Sequence, residues 1–255
     1  MPFPVNIAPE ANPMLCGKCR VHNRTICTSA DEKSLHQLNR ISHIRKCHAG
    51  ETILAEGDEA KLVGNVVSGV LKVSKILSDG REQIVGLLFP TDFFGRAYVD
   101  TAQFSIEAAT DAKICTIERH AFESLIEQCQ LLEHQLLIAT LSELDAAREW
   151  MVLLGCQNTL EKVASFFLML TRRADKHCRA DIPYKDGVVV VFPINRSDIV
   201  AYLGTTVETL SRQIQYLSRH GVIRVLDSKH FEILNEDKLA ELAGKCRSTV
   251  DMVEY

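Results

Sequence analysis

The stretch CGKCRVHNRTIC, residues 16–27, sets Cys16, Cys19 and Cys27 within twelve positions. Thiolate is a soft ligand, so this cluster suits a zinc knuckle, a redox pair or an iron–sulfur centre. A disulfide framework fits poorly. The 255-residue chain carries nine cysteines, an odd number spread over its length, the usage of free thiols or metal ligands. Cys16-x2-Cys19 alone is compatible with zinc or with redox chemistry. A four-iron cluster takes four thiolates, and the segment supplies three.

A second constellation lies near the other end, in NRSDIVAYLGTTVETLSRQIQYLSRHGVI. Ile199, Val200 and Leu203 form the apolar side of one helix, and Gly204 stands where a tight turn needs an unhindered backbone. A second helix starts at Thr205 or Thr206, with Leu210, Ile214 and Leu217 on its packing side. This is a helix-turn-helix, whose second helix enters the major groove N-terminus first. That end presents Val207, Glu208, Ser211 and Arg212. An Arg fork bonds guanine O6 and N7, a Glu accepts from cytosine N4, and Val207 suits a thymine methyl. Glu208 has a rival role, because Thr205-x-x-Glu208 reads as a capping box. Arg196, Arg219, Arg224 and Lys229 offer positive charge for phosphates, against Asp198, Glu208 and Asp227 in the same region. Individually such charges are more often solvated surface.

These residues need elements to hold them. The first fifteen residues carry four of the seven prolines and read as a loose arm. They lack the basic and apolar regions of a signal peptide, and no run approaches a bilayer span, so a cytoplasmic location is expected. Leu35, Leu38, Ile41 and Ile44 recur at helical spacing and predict an amphipathic helix over 31–46. From Gly50 to Glu118 alternating stretches broken by glycine predict many short strands in a roll, with SDGREQ (78–83) at a hairpin tip. Residues 121–154 are helical again. Within them Leu137, Thr140, Leu144, Ala147 and Met151 alternate at three- and four-residue spacing, a heptad seam for a homodimer or one helix on its own core. A helix over Thr159–Arg173, an apolar strand in VVVVFP, a hairpin over 222–234 and a last helix complete the order. The net charge of -4 argues against a globally basic coat protein but not against a local basic face.

YLGTTVETLSR, residues 202–212, resembles the reader of the Crp–Fnr superfamily of bacterial transcription regulators, and specifically its Fnr branch, over about Cys16–Gly244. The resemblance implies an α+β protein. Its parts would be an arm with the cysteine segment over 1–30, a cyclic-nucleotide-binding-like β-roll over 31–130, a long dimerisation helix over 131–157, a winged helix-turn-helix over 158–244 and a tail over 245–255. It also implies double-stranded DNA as partner, with Glu208, Ser211 and Arg212 reading a palindrome similar to TTGAT-N4-ATCAA, and RNA polymerase contacted from the SDGREQ turn.

The same resemblance bears on the cysteines. The superfamily's cyclic nucleotide needs a Gly-Glu pair and an Arg-Ser step, and this chain has Phe94-Gly95-Arg96-Ala97 there. No cyclic nucleotide is expected. The Fnr branch instead holds a 4Fe-4S cluster, with a fourth thiolate from the β-roll, and Cys115 in DAKICTIER is the matching position. Cys47 competes for that place, as do His22 and His48, and strand alternation allows Cys115 to be a core thiol. Cys129, Cys156, Cys178 and Cys246 have no ligand spacing. The implied function is an oxygen-sensing activator of transcription at low oxygen. The alternatives are a zinc-containing or clusterless regulator, and a thiol oxidoreductase. An oxidoreductase wants its CxxC at a helix start within a βαβ pattern, which is absent here. Ala147 puts no charge in mid-seam, so weaker oxygen control of dimerisation is expected than an acid there would give.

Overall fold

The structure, a computed structural model, describes Cys16, Cys19, Val21 and residues 24–177 and 188–244. His22, Cys178, Cys246 and residues 1–15, 179–187 and 245–255 lie outside the described residues. The chain divides into two compact units between Asp145 and Ala146.

In the first unit the cysteine segment runs into a 3-10 turn, Ile26–Ser29, capped by Thr25. Helix α1, Glu32–Ile41, follows, and its cap Asp31 accepts from the Ser34 N–H at 2.7 Å. The helix expected to reach residue 46 stops at Ile41. Residues Ser42–Cys47 form strand β1 instead, paired antiparallel with β8, Ala112–Glu118. The three-residue step from Ile41 to Ile44 mimics a helix, but SHIRKC also alternates, and pairing with β8 decides between them. Strands β2 (Thr52–Leu54), β3 (Leu62–Ser68), β4 (Leu71–Ile76), β5 (Glu82–Leu88), β6 (Phe93–Phe94) and β7 (Ser105–Ala108) complete the roll. They form two antiparallel sheets, ordered β1-β8-β3-β6 and β2-β7-β4-β5. Between the sheets lie Cys47, Val66, Leu71, Phe94, Ile106 and Ile114.

On the other face of the first sheet a second core forms from Val63 and Ile117 with the helical elements. The helical stretch over 121–154 is made of two helices, α2 (Arg119–Ile126) and α3 (Gln130–Cys156). No proline or glycine separates them. The chain turns because Cys129, 6% exposed, is drawn into the core shared by Leu125 and Leu132. The Cys129 N–H donates to Ile126 O and its carbonyl accepts from the Leu132 N–H, each at 3.0 Å, which closes the corner.

The second unit takes the end of α3, then α4 (Thr159–His177), β9 (Val188–Val191), α5 (Arg196–Leu203), α6 (Val207–Arg219), β10 (Ile223–Val225), β11 (His230–Ile233) and α7 (Glu236–Leu242). Its sheet runs β10-β11-β9, all antiparallel. Phe167, Phe192 and Phe231 stack at its centre with centroids 4.3–5.3 Å apart, a geometry that adds about 0.5–1.5 kcal/mol per pair beyond area burial. The only tryptophan of the chain, Trp150, lies on Tyr202 at 3.8 Å between centroids and 12° between planes. These apolar faces fix α5 and α6.

Candidate metal centre and nucleic-acid interface

Four cysteines line one pocket: Cys16, Cys19, Cys27 and Cys115, together with Val21, Thr25, Ser42, Ile44 and Asn65. Strand parity puts Cys115 there. Successive side chains alternate faces, so Ile114 enters the core between the sheets while Cys115 and Ile117 point to the opposite side. The same rule removes Cys47. Ser42 and Ile44 of β1 line the pocket, whereas Cys47, three residues beyond Ile44, lies between the sheets. His48 is an exposed neighbour of Asp111 at the far end of β1, with 3.7 Å between Nδ1 and the carboxylate.

The donor set fits a thiophilic group. All seven described cysteines are free. Burial pushes the Cys16 thiol up to about 11, with the neighbouring Cys27 and Cys19 adding to it. Burial pushes Cys115 up to about 12, and Cys27 is also raised by burial against a hydrogen bond from Thr25. Each thiolate formed here disfavours the next. Asn65 carries a buried Oδ1 without a partner among the described residues, and its Nδ2 lies 4.0 Å from Cys27 Sγ. Among the described residues no three His, Cys, Asp or Glu side chains are grouped as for a single metal ion. The four cysteines share one pocket, and four thiolates are the donor set of a 4Fe-4S group.

Helix α6 begins one step later than a cap at Thr205 would place it. Thr206 is the cap of α6, and its hydroxyl accepts from the Thr209 N–H at 3.3 Å. The Thr205 N–H donates to Val200 O instead. The capping box of Thr205 with Glu208 therefore does not form. Glu208 sits in the first turn, exposed, and its carboxyl is held below its usual value by its own backbone N–H and by the Thr206 hydroxyl. Leu210, Ile214 and Leu217 are buried, so Val207, Glu208 and Arg212 face outward. Arg212 Nη2 donates to Thr209 Oγ1 at 3.1 Å, which aligns the guanidinium along the helix. Arg196 Nη1 donates to Ser211 Oγ at 3.2 Å, tying the start of α5 to the reading face. The turn itself rests on Gly204, at φ +60°.

Residues 44–129 match the cyclic nucleotide-binding domain family, and residues 161–242 match the Crp-like helix-turn-helix domain. The transcriptional activator protein FnrL of Cereibacter sphaeroides is 36% identical over 230 residues, covering 90% of this chain and 92% of its own. The chain belongs to the Crp–Fnr family of transcription regulators. A probable transcriptional activator of Rhizobium leguminosarum bv. viciae is 37% identical, over 90% of this chain and 93% of that one. The solved structure of FixK2 from Bradyrhizobium japonicum superposes with a TM-score of 0.71 at 29% identity, covering 79% of this chain and 97% of its own.

As a Crp–Fnr protein the chain has a DNA-binding unit and a sensor-like β-roll. Among the described residues no helix is long and apolar enough to cross a membrane. On α3, Leu137, Thr140, Leu144, Ala147 and Met151 are all exposed, and Met151 reaches 71%. Leu141, Ile138 and Val152 join this face, which sequence spacing missed because they fall outside a strict heptad. Gln215, Tyr216 and His220 extend the exposed side of α6 beyond Arg212, with Tyr216 and His220 stacked at 4.0 Å. Arg219 shares that side, while Arg224 is engaged by Glu232 at 2.6 Å. Thr25, Ser42 and Asn65 were also missed around the sulfurs. The lone polar Asn in VGNVVS was the available signal for the last.

Proposed function

We propose that this regulator senses oxygen through a 4Fe-4S cluster held by Cys16, Cys19, Cys27 and Cys115, and that the cluster-loaded protein is a DNA-binding homodimer. One observation carries this reading. Four free thiols from two distant parts of the chain line a single pocket, with no acid or histidine among its described lining residues. When bound, the cluster supplies iron–sulfide bonds that oxygen attacks. Everything else falls to the chain.

Cys16, Ile26 and Cys27 belong to the same core as Leu132, Leu136 and Ala139 on the first turns of α3. Sulfurs held in place keep that segment packed on α3. Sulfurs released leave it free to withdraw, which biases the helix and its seam. Leu137, Thr140, Leu144, Ala147 and Met151 then meet the same face of a second copy. In the dimer Val207, Glu208, Ser211 and Arg212 read each half of a TTGAT-N4-ATCAA-like palindrome, and Arg196 and Arg219 contact phosphates. The turn at 78–83 contacts RNA polymerase, and the protein acts as a cytoplasmic activator. No cyclic nucleotide takes part. This is supported by the sequence after β6, where Gly95 is followed by an exposed Arg96 in place of an acid.

Anaerobic purification tests the reading. Protein with iron and sulfide, brown and bleaching in air, is expected, with the colour lost in Cys16→Ala and Cys115→Ala but kept in Cys47→Ala. Operator binding in a gel shift should fall on exposure to air. Iron-free material with full, air-insensitive binding would refute it.

A further inference from the structure

Asn65 is an unusual residue for its place. It lies in the middle of β3, 2% exposed, flanked by Gly64 and Val66, where asparagine is a poor strand former. Its register partner on β8 is Cys115. Its side chain lines the thiol pocket. Nδ2 lies 4.0 Å from Cys27 Sγ, and Oδ1 is buried without a hydrogen-bond partner among the described residues. An apolar residue of the same size would remove that unpaired carbonyl. A polar group kept unpaired in a strand core points to something its pocket is built to hold.

We infer that Asn65 is a positioning residue for the iron–sulfur ligands, its side-chain N–H donating to the Cys27 sulfur when that sulfur is bound to metal. The inference rests on the cluster reading proposed above. The amide is suited to the task because Nδ2 only donates and a metal-bound thiolate only accepts, whereas a free thiol is a weak acceptor. Neither a carboxylate nor an alkyl group of the same shape offers that donor. Hydrogen bonds to cluster sulfurs adjust cluster stability and potential, and outer partners of metal ligands change retention by roughly 10–100-fold.

Asn65 therefore differs from a packing residue in a measurable way. Wild type, Asn65→Leu and Asn65→Thr are purified anaerobically as full chains. Iron and acid-labile sulfide per chain, the rate of bleaching in air and the melting temperature of metal-free protein are measured for each. Asn65→Leu should bleach roughly 10-fold faster or arrive depleted of iron, while its metal-free melting temperature stays equal or rises. Asn65→Thr suits a strand and keeps a hydroxyl donor, so it should bleach at an intermediate rate. Wild-type iron content and bleaching in both variants would overturn the inference and leave the cluster reading standing. A fall in metal-free melting temperature matching the iron loss would also overturn it, as the mark of a structural brace. Wild type without iron or sulfide would overturn the parent reading itself.

Discussion

Gly64 offers a sharp test of how the sheet delivers Cys115. A Cβ built at Gly64 would stand 1.9 Å from the Cys115 carbonyl oxygen, 2.9 Å from Phe94 Cζ and 3.0 Å from the Cys115 carbonyl carbon. Two of these partners are backbone, so no side-chain rotation relieves them. In Gly64→Ala the oxygen contact must open from 1.9 Å to at least 3.0 Å, which separates β3 from β8 at the register pair Asn65↔Cys115. Forcing a methyl group into such a site costs about 1–3 kcal/mol. For a unit of this size that is a fall of about 2–12 °C in melting temperature. The displaced residue carries the fourth sulfur, so cluster retention should fall further than stability alone explains. Thermal melts of metal-free protein, with iron content after anaerobic purification, separate the two effects. An unchanged melting temperature would refute the close-approach argument. A lowered one with full iron would show that Cys115 is not held by this contact.

Three further outcomes follow from the other unit and the seam. Arg212→Ala should cost about 1–3 kcal/mol of operator affinity and relax selectivity at one base pair of each half-site; equal affinity for matched and single-mismatch duplexes before and after substitution would exclude base reading. Ala147→Asp places two carboxylates across the proposed seam, and at about 4–5 Å with an effective dielectric of about 20 they repel by about 3–4 kcal/mol. Sedimentation should then show dissociation increased by more than about 100-fold in metal-free protein, and wild-type behaviour would remove Ala147 from the interface. Gly204→Ala meets only Leu154 Cδ2 at 3.9 Å, so its cost is the left-handed backbone alone, about 1–2 kcal/mol, and denaturant melts that show no loss would contradict the turn geometry.

The fold was largely legible because its elements are locally consistent. The helix-turn-helix announces itself through Leu210, Ile214 and Leu217, which are buried as their spacing demands. The hairpin over 222–234 forms as β10 and β11, and the strand in VVVVFP forms as β9. Failures came where tertiary pairing outweighed local pattern. SHIRKC satisfies helix and strand periods alike, and only its partner β8, some seventy residues away, selects the strand. The break at Cys129 carries no local signal at all, since a buried thiol and not a glycine or proline turns the chain.

The thiol pocket shows the same limit at finer scale. Spacing gathers Cys16, Cys19 and Cys27 but cannot choose between Cys47 and Cys115, because both are strand cysteines in alternating sequence. The choice is one of parity about a register. With Ile44 opposite Cys115 and Cys47 opposite Ala112, a slip of one residue in β1 would turn Ser42 and Ile44 inward and bring Cys47 to the pocket side. What fixes the register is burial on both faces at once. Ile114 and Ala112 must reach the core between the sheets, while Ile117 must reach the core under α1, α2 and α3. The residue that carries the fourth sulfur is thus placed by two apolar cores, and the second of these also holds Leu132 and Leu136 of α3. The positions of Cys115 and of the first turns of α3 are set by one packing problem, so under the proposed function a change at the sulfurs reaches α3 through that shared core.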